Sequence, residues 1–322
     1  MALVPTVSPR PAPVLQDERS VAVPLDLEAT VAPLVRGRGD PAASLSATEL
    51  WWATNTPAGP ATLHLTVDGG AARVRTTAWG EGAPWVTDQV TDLLGLDDDV
   101  DAFEAMLSEV RAPGADLVRE LHRRSPGLRM SRSGALAEAL VPSILEQKVI
   151  GADARSSYRR LVRCHGSPAP GPSLGLMSPP TADQLATLPY WAFHPLGVER
   201  RRADTVVRAC RVAHRLRVGP RADDAELQRR LLTIPGVGPW TVAEVSRVAL
   251  GDPDAVSVGD YHLAHRVAYA LVGERRGTDD QMLELLEPFR PHRQRVVRLI
   301  ERGAAVPPRR GPRLERSRIR HL

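Results

Sequence analysis

The spacing of apolar positions changes character near residue 110. Ala61-Thr-Leu-His-Leu-Thr-Val67 alternates apolar and polar side chains, the period of a half-buried strand. Asp68-Gly69-Gly70 has the composition of a hairpin turn, and Ala72-Arg-Val-Arg-Thr76 alternates on the way back, so an antiparallel sheet is predicted. Val86, Val90, Leu93 and Leu94 recur at helical spacing, with Gly95 placed to end that helix. Trp51, Trp52, Trp79 and Trp85 fall in this region and are expected in its core. Beyond Val110 the period is helical almost throughout. Leu136, Leu140, Ile144 and Leu145 share a face, although Pro142 predicts a kink or a break. Tyr158, Leu161 and Val162 continue the pattern, and the five prolines between Gly166 and Pro180 predict a loop. Helices follow over Thr181–Leu188, Gly197–Leu216 up to the Gly219-Pro220 breaker, Ala225–Leu232, Thr241–Leu250, Tyr261–Val272, Thr278–Phe289 and Arg293–Arg302.

This pattern predicts an α+β chain: an N-terminal antiparallel β-sheet domain with helices, followed by an all-α domain. The expected boundaries are a disordered leader at 1–22, a mixed α/β domain at 23–110, a helical domain at 111–302 and a basic disordered tail at 303–322.

Charge is divided along the chain. Residues 1–110 hold 6 Arg against 16 Asp and Glu; residues 111–301 hold 29 Lys and Arg against 21 acids. The last 21 residues hold 7 Arg against one Glu. Polyanion binding is therefore expected of the helical part rather than of the sheet. Prolines interrupt the N-terminus where a signal peptide needs an apolar run, and no stretch has membrane-span length. A cytoplasmic, nucleoid-associated protein is expected. Cys164 and Cys210 are expected as reduced core thiols, and two cysteines are too few for an iron–sulfur cluster.

The most informative stretch is Leu231-Leu-Thr-Ile-Pro-Gly-Val-Gly-Pro-Trp-Thr241. Gly236 and Gly238 flank one apolar residue between two helical patterns, and both are free to take positive φ. Their amides, with those opening the next helix, could form an anion-binding concavity. An ordinary turn between helices explains the glycines equally well. Asp260 precedes the helical Tyr261–Val272 and reads as an N-cap. A carboxylate there could also stabilise a cationic sugar. Asp260, His262 and His265 invite a metal reading, but residues two apart do not share a helix face, so no metal is expected.

Leu231–Val245 followed by Val256–Val267 resembles the helix-hairpin-helix DNA glycosylases, specifically the bacterial alkylation-repair 3-methyladenine type. Leu196–Ala203, Ile144–Val149 and Phe289–Arg293 extend the resemblance over most of residues 125–300. The resemblance implies a helix-hairpin-helix glycosylase domain in which Asp260 is catalytic. It also implies that Ile234, Gly236, Val237, Gly238 and Thr241 bind DNA phosphate, with a monovalent cation at the hairpin as an option. Trp240, Tyr261 and Glu244 would line the base pocket. Gln147 and Lys148 fall at the minor-groove wedge. Strand-cleaving members carry a lysine at the position of Trp240, so simple hydrolysis is implied, without lyase activity. Glu244 stands where the family has an aromatic, Lys148 replaces an apolar wedge, and Arg293–Arg302 lacks a tryptophan. The implied partner is double-stranded DNA with damaged bases, bound by a monomer without cofactor or membrane. Excision of oxidised or deaminated bases, and non-catalytic DNA binding, remain the alternatives.

Overall fold

The computed structural model describes residues 14–68, 73–172, 175–213 and 224–308. Strands β1 (Val14–Ser20), β2 (Ala43–Leu45), β3 (Glu49–Thr56), β4 (Gly59–Asp68) and β5 (Arg73–Trp79) form one antiparallel sheet in the order β1-β5-β4-β3-β2. The alternation of β4 and β5 puts Leu63, Leu65 and Val74 on one face. There they meet Leu50, Trp52, helix α1 (Leu27–Val31), and Val86, Val90, Leu93 and Leu94 of α2 (Ala83–Asp88) and α3 (Val90–Leu93). The turn at Gly69-Gly70 lies outside the described residues, but the register of β4 on β5 is that of the expected hairpin.

Two expectations are corrected here. Residues 14–20 are not disordered: they pair with β5, from Val14 opposite Trp79 to Ser20 opposite Arg73. Arg19 anchors the strand by donating to the Thr91 hydroxyl and the Thr87 carbonyl. This edge strand is largely exposed, so no apolar alternation marks it. Residues 1–13 lie outside the described residues. Of the four tryptophans, Trp52 is core and Trp85 packs against it, but Trp51 and Trp79 stack on the opposite face. There Trp51 lies 3.9 Å from His64 and 5.7 Å from Trp79, centroid to centroid.

The remaining helices are α4 (Val100–Glu109), α5 (Ala115–Arg123), α6 (Leu136–Glu146), α7 (Gly151–His165), α8 (Ala182–Thr187), α9 (Tyr190–Phe193), α10 (Arg200–Val212), α11 (Asp224–Leu232), α12 (Pro239–Val245), α13 (Leu263–Val272), α14 (Asp279–Leu286) and α15 (Arg293–Gly303). Helix α6 runs unbroken through Pro142, so of the kink or break expected there the break does not occur. Its apolar residues are buried on nearly every side, and that packing outweighs one missing hydrogen bond. The proline-rich loop after α7 contains a two-residue ladder, β6 (Ser167–Pro168) with β7 (Met177–Ser178). The Gly219-Pro220 breaker and residues 309–322 lie outside the described residues. Cys210 is buried, with its thiol pushed up to about 12 by desolvation. Cys164 is exposed, against expectation: it sits on the outer face of α7.

The helices bury their faces in two clusters. Residues of α6–α8 and α10–α12 form one. Helices α4, α5, α13, α14 and α15 form the other, so Phe103 and Leu107, before the expected boundary at 110, pack with the end of the chain. The segment 251–262 crosses from the first cluster to the second, and Asp260 lies on that crossing. Sheet and first cluster meet at Glu138 of α6, whose carboxyl group accepts from the Thr54 hydroxyl and the Asn55 amide. Burial pushes that carboxyl up to about 7. No helix among the described residues is long and apolar enough to cross a membrane.

Candidate active site and hairpin

The hairpin joins α11 to α12 through Thr233-Ile-Pro-Gly-Val-Gly238. Gly236 has φ +95°, which L-residues with a side chain rarely adopt, and a Cβ there would lie 2.5 Å from Thr205 Oγ1. Gly238 does not share this feature. Its φ of −112° and ψ of −178° are extended, and an added Cβ would meet nothing within 4 Å. The first glycine is thus required by the turn itself. The second leaves open space in front of the backbone.

Of the expected phosphate-binding residues, two have their amides taken up inside the turn. The amides of Ile234 and Val237 donate to Leu231 and Ile234 carbonyls inside the turn, and both side chains are buried. The amides of Gly236, Gly238, Trp240 and Thr241 make no hydrogen bond among the described residues, and Pro239 has none to offer. These four amides are uncommitted, whereas those of Ile234 and Val237 close the turn.

Neighbouring elements brace the hairpin. Gln147 donates from Nε2 to the Gly236 carbonyl (2.9 Å) and to Thr241 Oγ1 (2.8 Å). Gln147 therefore fixes the α6–α7 loop against the turn. Lys148 beside it is exposed and has φ +55°, the one non-glycine residue with positive φ among those described. Behind them, Arg202 of α10 is buried and donates to the Leu145 carbonyl at the end of α6 (2.7 Å). Arg208, two turns on, donates to the Pro235 carbonyl (3.2 Å). Neither arginine was singled out from the sequence. Their only signal was the basic stripe of α10.

Asp260 accepts from the amides of His262 and Leu263, both at 2.8 Å and both on Oδ1. The capping role expected of it is therefore present, one turn before the first residue of α13. Oδ2 accepts no hydrogen bond among the described residues. His265 Nδ1 meets the Gly277 backbone, and the His262 ring packs on Tyr261, so the two histidines have separate partners.

Glu244 does not line a pocket, and this corrects the sequence expectation. It is 7% exposed; its Oε1 accepts from the Ser257 hydroxyl at 2.6 Å, and its Oε2 pairs with Arg247 at 2.9 Å. A carboxylate in a packed position is tolerable only with such partners. Ser257 in turn offers its carbonyl to the Asp260 amide (3.2 Å). Trp240 and Glu244 are one helical turn apart on α12, so the same face that carries Trp240 is tied to the loop carrying Asp260. Arg247 is held above the usual guanidinium range chiefly by Glu244, and burial raises the carboxyl of nearby Glu146. Ser257 and Arg247 were missed: a serine within Val256-Ser-Val-Gly259 looks like strand alternation. Helix α12 continues as a π-helical turn over Ser246–Leu250. There the Val248, Ala249 and Leu250 carbonyls accept from Ser133, Gly134 and Arg132.

Tyr261 is 76% exposed, so it is not a core aromatic. Trp240 is partly exposed at the start of α12. The structure thus brings Gln147, Lys148, the hairpin and Trp240 to one side. It links that side through Glu244 and Ser257 to Asp260, and turns Glu244 inward.

No family model matches the chain. A "Probable bifunctional transcriptional activator/DNA repair enzyme AlkA" of Mycobacterium tuberculosis is 31% identical over 215 residues, which is 61% of this chain and 43% of the relative. The chain spans less than half the length of the curated relatives it matches. Among solved structures, a 3-methyladenine DNA glycosylase from Archaeoglobus fulgidus superposes with a TM-score of 0.69 at 15% identity, covering 88% of this chain and 97% of that one. An 8-oxoguanine glycosylase/lyase from Clostridium acetobutylicum reaches 0.65 at 11% identity, covering 89% and 98%. The fold is that of the helix-hairpin-helix DNA glycosylases, and the α+β class and the resemblance seen in the sequence both hold.

Proposed function

We propose that the chain is a monofunctional DNA glycosylase that hydrolyses the N-glycosidic bond of alkylated purines in duplex DNA. The observation that carries this reading is the tie from the hairpin helix through Glu244 and Ser257 to Asp260, which couples a phosphate grip to a carboxylate with one uncommitted oxygen. Gly236, Gly238, Trp240 and Thr241 amides hold a phosphate of the damaged strand. The base leaves the stack at a cost of about a few kcal/mol, less where damage weakens pairing. Lys148, exposed beside Gln147, enters the gap, while Gln147 keeps its hold on the hairpin. A purine alkylated on a ring nitrogen is cationic; Trp240 and Tyr261 attract it through their ring faces. As the bond between C1′ and the base breaks, positive charge develops on the sugar and Asp260 stabilises it. Water adds to C1′ and loses a proton, and the products are free base and an abasic site.

Simple hydrolysis follows from the residue at 240. Strand cleavage needs an amine that attacks C1′, and the chain's single lysine, Lys148, lies on the α6–α7 loop and not on α12. The shared fold leaves the lesion class open, because the superposed 8-oxoguanine enzyme is 11% identical. A monovalent cation at the hairpin would use the Ile234 and Gly236 carbonyls, each of which already accepts one hydrogen bond. No step depends on it, and a monomer suffices for the reaction.

The test is incubation of purified protein with duplexes bearing single defined lesions, followed by alkaline cleavage. Release of 3-methyladenine or 7-methylguanine by the wild type, and none by Asp260→Asn, is expected. Release only of oxidised or deaminated bases, or DNA binding with no base released, overturns the proposal.

A further inference from the structure

Two aromatic side chains are strongly exposed among the described residues: Tyr261, beside Asp260, and Trp191, 74% exposed on α9. The proposed chemistry uses the first and leaves the second unexplained. Single exposed apolar residues need no function in general. Trp191 differs by its surroundings. Its neighbour Tyr190 lies under the Arg200 guanidinium, 5.9 Å from ring centroid to Arg200 Cζ, so α9 is seated against the first turn of α10. Arg200 is itself 77% exposed.

Helix α10 is the element that braces the hairpin. Thr205 abuts Gly236 and Arg208 holds Pro235, and these two positions lie on one helical stripe with Arg201. Arg201 is exposed and has no ion pair among the described residues. It stands one turn, about 6 Å, before Thr205. Duplex DNA carries a charge every ~3.4 Å of axis on each strand, so a phosphate neighbouring the one at the hairpin falls within reach of a side chain at this position.

We infer that Arg201 and Trp191 form a second DNA-contact patch, continuous with the hairpin along α10. Arg201 neutralises a backbone phosphate, and Trp191 packs its ring on the neighbouring deoxyribose face. The inference rests on the reading of the hairpin as a DNA-docking element, but not on any base being excised. Arginine supplies charge that reads no sequence, and a tryptophan face accepts any base or deoxyribose. The patch therefore adds affinity without adding lesion preference.

The test measures fluorescence anisotropy of labelled duplexes, undamaged and with a central tetrahydrofuran abasic analogue, over a salt series. Trp191→Ala, Arg201→Gln and the remote surface control Arg123→Gln are compared with wild type, with thermal melts to check folding. Trp191→Ala is expected to weaken both duplexes about fivefold or more with an unchanged salt slope. Arg201→Gln is expected to lower the slope of log K against log salt by about one, and the control to change neither. Binding by both variants within twofold of wild type overturns the inference, as does loss of self-association in Trp191→Ala with DNA binding intact, which assigns the patch to a protein contact. Excision measured in parallel separates the two readings. Weakened binding by the variants of a protein that releases no base keeps the patch and removes the enzyme, while normal variants of an active enzyme do the reverse.

Discussion

The two hairpin glycines offer a perturbation in which folding and DNA binding part company. Gly236→Ala places a side chain at φ +95°, at a cost of about 1–2 kcal/mol for the left-handed backbone. Its Cβ also comes within 2.5 Å of Thr205 Oγ1, and that hydroxyl is committed to the Arg201 carbonyl and to Arg208. Moving it adds roughly 1–3 kcal/mol of overpacking. At roughly 2–4 °C per kcal/mol for a domain of this size, Tm should fall by at least about 4 °C. Gly238 is extended and faces open space, so Gly238→Asp costs no strain. At the N-cap of α12 an aspartate gains a few tenths of a kcal/mol over glycine. Tm should therefore stay within about 2 °C or rise. The same aspartate occupies the space in front of the free amides with a negative charge. A loss of at least about tenfold, ~1.4 kcal/mol, is expected for every duplex, damaged or not. Calorimetry and anisotropy on the two variants decide the matter. A Gly238→Asp protein with wild-type melting and wild-type affinity refutes the phosphate grip, and so does a loss confined to one lesion. A Gly236→Ala protein as stable as wild type refutes the strained turn.

Asp260→Asn should bind abasic duplex about as well as wild type while releasing no base, read as single-turnover product on a gel; strand breaks before alkali in the wild type contradict the role given to position 240. Ser257→Ala removes a hydrogen bond to a buried carboxylate, typically about 1.5–3 kcal/mol, and should lower the single-turnover excision rate about tenfold with undamaged-duplex affinity within twofold. An unchanged rate removes the positioning role of Glu244. Glu138 has its folded pKa raised to about 7 against an ordinary 4.5. The folded state therefore holds the proton more tightly, and this contribution is full below pH 4.5 and is lost as pH rises through 7. Urea melts should show roughly 3 kcal/mol less stability from this group at pH 8 than at pH 4.5, a slope that Glu138→Gln flattens; equal slopes in both proteins count against it.

Much of this was legible in the residues because the physics was local. Alternation over Ala61–Val67 and over Arg73–Thr76 is the sheet's own pleat, and the helix expected from Thr278 begins there, with Thr278 as its cap. The turn at Gly236 and the cap at Asp260 are likewise set by a few adjacent residues. The misreadings arose where the partner lies far along the chain. Strand β1 is specified by β5, nearly 60 residues on, and carries no pattern of its own. Pro142 looked like a breaker because its surroundings were out of sight. Glu244 looked like a pocket residue because it stands on the face of α12 where the resembled family carries an aromatic. That face is covered by the loop holding Ser257, thirteen residues later, so the carboxylate points into protein. Gly236 and Gly238 looked alike, and only the path of the backbone separates the strained one from the extended one.

The strained lysine of the α6–α7 loop has a consequence outside repair chemistry. Every other cationic side chain of the chain is arginine or histidine, so Lys148 is the sole side-chain primary amine in 322 residues. Amine-acylating reagents, applied once the α-amino group has been blocked covalently, meet a single target, and it is exposed next to the residue that grips the hairpin. A dye or a cross-linker installed by ordinary acylation, without introducing a cysteine, would therefore report from that loop alone. By the same token, any lysine-directed modification within these 322 residues must act there.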